Sequence, residues 1–180
     1  IGHPDGGQRT GIERAEVADG LQRRLGGHAR DGTGAVGERD QLADGSTAAA
    51  WLESVDRAGE VTAEDLALAR EVRSALRAQL GDGEAVDLPD VPVRVALGSD
   101  GPRLTGHGSP LVQLLGDALA EALALQATGE WSRVKTCARD SCRWVFFDHS
   151  RNRSGRWCSM QVCGNRAKTA AYRARHRHES

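Results

Sequence analysis

The four cysteines of this chain stand as Cys137-x4-Cys142-x15-Cys158-x4-Cys163, with no others elsewhere. Two evenly spaced pairs, separated by a span long enough to fold back, have the spacing of a metal site. Four soft thiolates converging on one point meet zinc's preference for tetrahedral coordination, and the ion stabilises each thiolate in turn. Two disulfides would staple a small domain in the same way. However, the stretch around Pro4 and Asp5 lacks the charged-then-apolar pattern of a secretion signal, and a reducing compartment disfavours them. Redox pairs are usually Cys-x-x-Cys, a spacing that neither pair has. His149, His176 and His178 are further candidate ligands, surplus to a closed four-thiolate site, and are expected in solvent or near phosphate. The reading is one structural zinc held by Cys137, Cys142, Cys158 and Cys163.

Around these cysteines the composition changes. Residues 131–180 carry ten arginines and two lysines against Asp140, Asp148 and Glu179, a balance of +9, whereas the first 130 residues balance at −10. Of the seven aromatic residues only Trp51 lies outside the last fifty positions, so the core of the preceding region must be aliphatic. Two unlike modules are expected in one α+β chain. A helix-rich acidic α/β domain with a small sheet spans 46–130, and a basic four-cysteine zinc-finger domain ending in a basic helix spans 131–180. Residues 1–45 hold 11 of the 22 glycines and read as a weakly ordered segment, with a helical hint at Ile12 to Leu25. No apolar run reaches membrane-spanning length, and a soluble cytoplasmic protein is expected.

Local signals place the elements. Ser46 or Thr47 caps a helix through Trp51 and Leu52 to about Arg57, closed by Gly59. Thr62 caps a longer one, with Glu64 and Asp65 in its first turn and Leu66, Ala69, Val72, Leu76 and Leu80 on one stripe, stopped by Gly81. The alternation Val91, Val93, Val95, Leu97 predicts a half-buried strand, paired across the Asp100-Gly101 turn with a partner near Arg103 to Thr105. Ser109-Pro110 opens the strongest helix, with Leu111, Leu114, Leu115, Ala118, Leu119, Ala122 and Leu123 at helical spacing, ended by Thr128-Gly129. In the tail, Arg143 to Phe147 reads as a strand, Asp148 to Arg156 as a polar loop, and Ser159 to about Arg175 as a helix with Cys163 in its first turns.

The segment Cys137-Ala-Arg-Asp-Ser-Cys142-Arg-Trp-Val-Phe-Phe-Asp148, with Ser150-Arg-Asn-Arg153, Trp157-Cys-Ser-Met160 and Cys163-Gly164-Asn165-Arg166-Ala167-Lys168, resembles the CGNR zinc-finger family over about forty residues. The resemblance implies a zinc-bound C-terminal domain that binds DNA. It also implies a preceding mixed α/β domain of the ABATE kind, associated with stress-response regulation, whose elements come in the order seen from Ala50 to Leu125. Such domains usually open with a strand bearing an Asn-Thr pair. Here the only asparagines are Asn152 and Asn165, so the first 45 residues do not match.

The tail's arginines suit bidentate phosphate or guanine contact. On the last helix Arg166, Arg173 and Arg177 share one face, and Lys168 and Arg175 a neighbouring one, while Arg151, Arg153 and Arg156 lie in the loop before the third cysteine. Trp144, Phe146 and Phe147 read less as base-stacking platforms than as a miniature core with Trp157 and Met160. Asn165 reads as a donor to zinc-bound sulfur, and Arg166 as a brace or a phosphate contact. No Ser/His/Asp, phosphate-loop or paired-carboxylate motif appears, and a closed thiolate site offers no open metal position, so an enzyme is not expected. The expected function is a DNA-binding transcription regulator whose N-terminal domain senses a small-molecule effector or assembles a homo-oligomer. A zinc-stabilised protein-interaction module meeting an acidic partner is the second reading, and RNA binding the third.

Overall fold

The computed structural model describes residues 40–99 and 101–176. The expected helix at 12–25, residues 1–39 of the glycine-rich segment, Asp100, Arg177 and His178 lie outside them. The described elements are four α-helices and two antiparallel strand pairs, with a 3-10 turn at Trp131–Arg133 and a π-helical turn at Met160–Gly164: α1 (Gly45–Ser54), α2 (Ala63–Gln79), β1 (Val93–Gly98), β2 (Gly101–Gly106), α3 (Pro110–Ala127), β3 (Val134–Thr136), β4 (Val145–Phe147) and α4 (Asn165–His176). None of these helices is long and apolar enough to cross a membrane.

Helix starts follow cap chemistry. Asp44, rather than Ser46 or Thr47, caps α1, because its carboxylate accepts from the Thr47 amide at 2.8 Å. Thr62 and Asp65 form a reciprocal capping box on α2, and Ser109 with Pro110 opens α3. Helix ends share one device. After α1 the Asp56 and Arg57 amides reach back to the Glu53 and Leu52 carbonyls, so α1 stops before Arg57 and needs no Gly59; Asp56 takes the left-handed turn (φ 56°) that asparagine and aspartate tolerate. After α2 and α3 the same turn uses Gly81 and Gly129. The residue following each turn is charged and paired: Arg57 with Asp117, Asp82 with Arg77 and Arg143, Glu130 with Arg133 and Arg153.

The aliphatic core lies among α1, α2 and the first half of α3, where Leu52, Leu66, Val72, Leu76, Leu111 and Leu114 are buried. Each fully buried leucine contributes about 2 kcal/mol. Residues 40–45, assigned by composition to the weakly ordered segment, belong to this body: Leu42 is in the core, and Arg70 and Arg73 hold the Leu42 and Ala43 carbonyls and Asp40.

Along α3 the buried face shifts. Leu123 is exposed and Leu125 is buried, because Ala118, Ala122 and Leu125 pack on Val134 and Val145 of the β3–β4 pair, with Leu80, Trp131 and Phe147 around them. A second apolar cluster thus crosses residue 130.

The β1–β2 hairpin packs on α3 through β2, most closely at its base. A Cβ on Gly106 would overlap the Gln113 backbone, and one on Gly116 would lie 2.5 Å from the Gly106 Cα. Asp117 accepts from the Gly106 amide at 2.7 Å. β2 runs beside the helix, and β1 lies on its far side. Val93, Val95 and Leu97, expected on a half-buried face, are therefore exposed, Leu97 to 85%.

Candidate metal centre and basic surface

The metal site is built from two turns brought together by the β3–β4 pair. Cys137 directly follows β3, and its amide extends the ladder to the Trp144 carbonyl at 2.8 Å. Between them a tight turn returns the Cys142 amide to the Arg139 carbonyl, and Arg143 takes a left-handed conformation (φ 48°) to re-enter β4. The second turn is a five-residue π-helical turn, Met160–Gly164, capped by Ser159, which runs into α4. Cys158 precedes it and Cys163 lies within it. At Gly164 a Cβ would meet the end of the exposed Met160 side chain, Sδ at 2.7 Å, and Trp157 Cδ1 at 3.3 Å, so glycine lets these side chains close over the turn.

All four sulfur atoms lie within 4.8 Å of one another, with Cys142–Cys158 and Cys158–Cys163 both at 3.7 Å. Four ligands about 2.3 Å from a tetrahedral zinc sit about 3.8 Å apart. The cysteines are free thiols, and their separations fit one structural zinc. Burial pushes the Cys142 thiol up to about 11 and raises Cys158 as well. In Cys163 burial acts in the same direction but is overcome by hydrogen bonds, first from Arg139, whose Nη1 donates to Sγ at 3.8 Å, so that its thiol is lowered. A cation beside four thiolates around one Zn2+ offsets the centre's net negative charge.

The partner expected for that sulfur was Asn165. Its amide instead donates to the Gln161 carbonyl at 3.1 Å and braces the π-helical turn. Arg139 carries no spacing signal in the sequence; only the fold places it there.

Beside the metal, the polar loop after β4 is organised by Asp148, 3% exposed. Its carboxylate accepts from Lys135 Nζ (2.7 Å), the Gly155 amide (2.7 Å) and the Ser150 amide (2.9 Å). Burial works against the charged form, but these donors prevail and hold the carboxyl well below the usual carboxylate range. Lys135 also reaches the Arg153 and Gly155 carbonyls, and Arg133 Nη1 the Asp148 and Ser150 carbonyls. A Cβ on Gly155 would come within 2.5 Å of Asp148 Oδ1, so glycine lets the loop close on the carboxylate. Of the apolar residues expected around the metal, Phe146 is buried, Trp144, Phe147 and Trp157 are half-buried, and Met160 is exposed to 52%.

The candidate phosphate contacts separate into two groups. Arg153 is engaged by Glu130 and the Ser132 hydroxyl, and Arg156 lies 5.5 Å over the Trp157 ring. Arg151, Arg166, Lys168, Arg173 and Arg175 are exposed. The four on α4 belong to a helix without one buried residue, whose contacts run to the π-helical turn from which it emerges. His149 is exposed and edges Phe147, while the His176 ring lies tilted against Tyr172; neither is among the four clustered ligands.

This geometry defines a four-thiolate zinc-binding module with a projecting basic helix. Residues 133–176 match the family model of the CGNR zinc finger, in agreement with the resemblance read from the motif; the match covers the module and no residue before it. No curated protein matches the chain.

Proposed function

We propose that the chain is a DNA-binding transcription regulator in which the zinc module docks α4 and the adjoining loop on duplex DNA. The observation that carries this reading is α4 itself: twelve residues, none buried, presenting Arg166, Lys168, Arg173 and Arg175 to solvent from a metal-anchored base. A helix of this width fits the major groove, and arginine serves both phosphate and guanine contacts. With Arg151 these four form the unengaged part of the contact set, while Arg153 and Arg156, also exposed, make contacts within the module. Among the described residues the acidic region engages Arg143 and Arg153 of the tail and none of the α4 cations, which supports an external polyanion over an internal one. The ABATE resemblance supports a sensing or assembly role for the preceding domain.

Salt-dependent binding of the zinc-loaded full chain to duplex DNA tests the reading. The slope of log K against log salt should flatten by about one unit for each α4 cation removed as a phosphate contact, with zinc content unchanged. Absence of binding to any duplex at low salt would overturn it, and equal affinity for single-stranded RNA would favour the RNA reading.

A further inference from the structure

The two edges of the β1–β2 hairpin differ. His107 donates to the Pro92 carbonyl, which makes that pair hydrogen-bonded, and the next pair, Val93 with Gly106, turns its backbone groups outward, as the Gly106 amide shows by donating to Asp117. Antiparallel pairs alternate, so Val93, Val95 and Leu97 on β1, and Pro102, Leu104 and Gly106 on β2, point their N–H and C=O groups away from the hairpin. On β2 that edge is closed: Pro102 has no N–H, Gly106 is held by Asp117, and α3 lies alongside. On β1 it is open. No described element pairs with it, and it has neither proline nor bulge. Its single charge, Arg94, is turned onto the hairpin, where Nε donates to Thr105 Oγ1 at 3.2 Å. The side chains along it are apolar and exposed, Val95 to 69%. Natural proteins rarely leave such an edge uncovered.

We propose that β1 pairs antiparallel with β1 of a second copy of this chain, about a two-fold axis at Val95, to form a four-stranded sheet. The strand's own register selects this occupant. About Val95, the outward-facing residues pair Val95 with Val95 and Val93 with Leu97, so every free backbone group meets a free group. Arg94 falls opposite Ala96, and no like charges oppose. A two-fold axis midway between two residues would set outward-facing groups against inward-facing ones and form no ladder, one at Arg94 would set Arg94 against Arg94, and one at Ala96 would leave two outward-facing pairs within the strand instead of three. The contact rests on one strand pair and its side chains, a small interface, so the dimer dissociates on dilution. It is independent of the DNA reading.

Sedimentation of the zinc-loaded full chain between about 200 and 2 µM tests this, together with amide exchange of Val93, Val95 and Leu97 at both ends of the range. Expected are a monomer–dimer equilibrium and protection of these three amides that appears only in the dimer. Val95→Lys, which sets two cations against each other on the axis, should weaken dimerisation at least about tenfold, while Ala67→Lys, with the same charge on the exposed face of α2, should not. Val95→Pro removes only the outward N–H and should also abolish the dimer, with helix content and zinc retained to show that the chain is folded. A monomer throughout, a dimer that survives both Val95 variants, or a dimer with freely exchanging edge amides would overturn the proposal. So would amides protected equally at every dilution, which would mean that the chain covers its own edge.

Discussion

The helical body and the zinc module are held by different forces. From α1 to α3 the chain is fixed by aliphatic contacts and closed at each helix end by a reversed turn, and its charged groups sit at the margin. From β3 to the π-helical turn there are two three-residue strands, and order comes from four thiolates and a buried carboxylate that gathers a lysine and two amides. A segment that short cannot bury enough apolar surface to offset its chain entropy, so a metal and ionic contacts take the place of a core. The difference teaches where the regions depend on each other. The zinc module's sheet uses the last turns of α3 as its missing apolar layer, through Ala118, Ala122 and Leu125 against Val134 and Val145.

Breaking the metal site should have the largest effect. Cys158→Ser removes a ligand from a site whose zinc supplies about 10 kcal/mol of folding free energy to modules of this kind, and should unfold the segment from β3 to α4. Because Leu125 then loses its cover, the helical body should survive with a lowered thermal midpoint. Circular dichroism with zinc analysis checks both parts. An unchanged midpoint for the helices would show that the shared cluster contributes nothing and that the two regions are independent.

Next in size is Leu125→Ala, expected to destabilise the chain by about 3 kcal/mol as a cavity-forming change at a fully buried leucine. Its distinguishing readout is zinc: if α3 supports the module, the variant should lose zinc to a chelator faster than the parent, whereas Leu52→Ala, equally buried but in the helical cluster alone, should not.

The smallest of the three concerns Asp148. Its carboxyl is depressed in the folded chain, so protons bind the unfolded state more tightly; the stabilisation is complete above the ordinary carboxylate range and is lost as pH falls through the folded value. At neutral pH, Asp148→Asn should therefore show its whole cost, about 2 kcal/mol in denaturant unfolding, with Lys135 left without its counter-ion. A change below a few tenths of a kcal/mol would mean that the metal alone orders the loop.

Much of this was legible in the chain itself. Cysteine spacing named the ligands because four thiolates at two turns form a local pattern, and Thr62, Ser109, Gly81 and Gly129 marked helix ends because capping acts within a few residues. Local alternation misled at β1, since a period of two reports that a strand has an apolar face but not that anything lies against it. It misled at Leu123 because a helix stripe shifts when the helix changes partners midway. Glycine counting placed Leu42 in a weakly ordered segment, although its burial depends on α2, some thirty residues away.

What the sequence alone determined are the interactions closed within one or two turns of chain: the metal ligands, the caps, and the separation of an acidic aliphatic region from a basic zinc-binding one. What only the tertiary structure decided are the interactions whose partners are distant in sequence. Asp82 joins Arg143 across 61 residues, Arg139 reaches Cys163 across 24, Lys135 is joined to Asp148, and no described element pairs with the outer edge of β1. The reason is physical. A charge or an apolar side chain carries no mark of its partner in the chain, and its energy depends on distance and burial that exist only after folding.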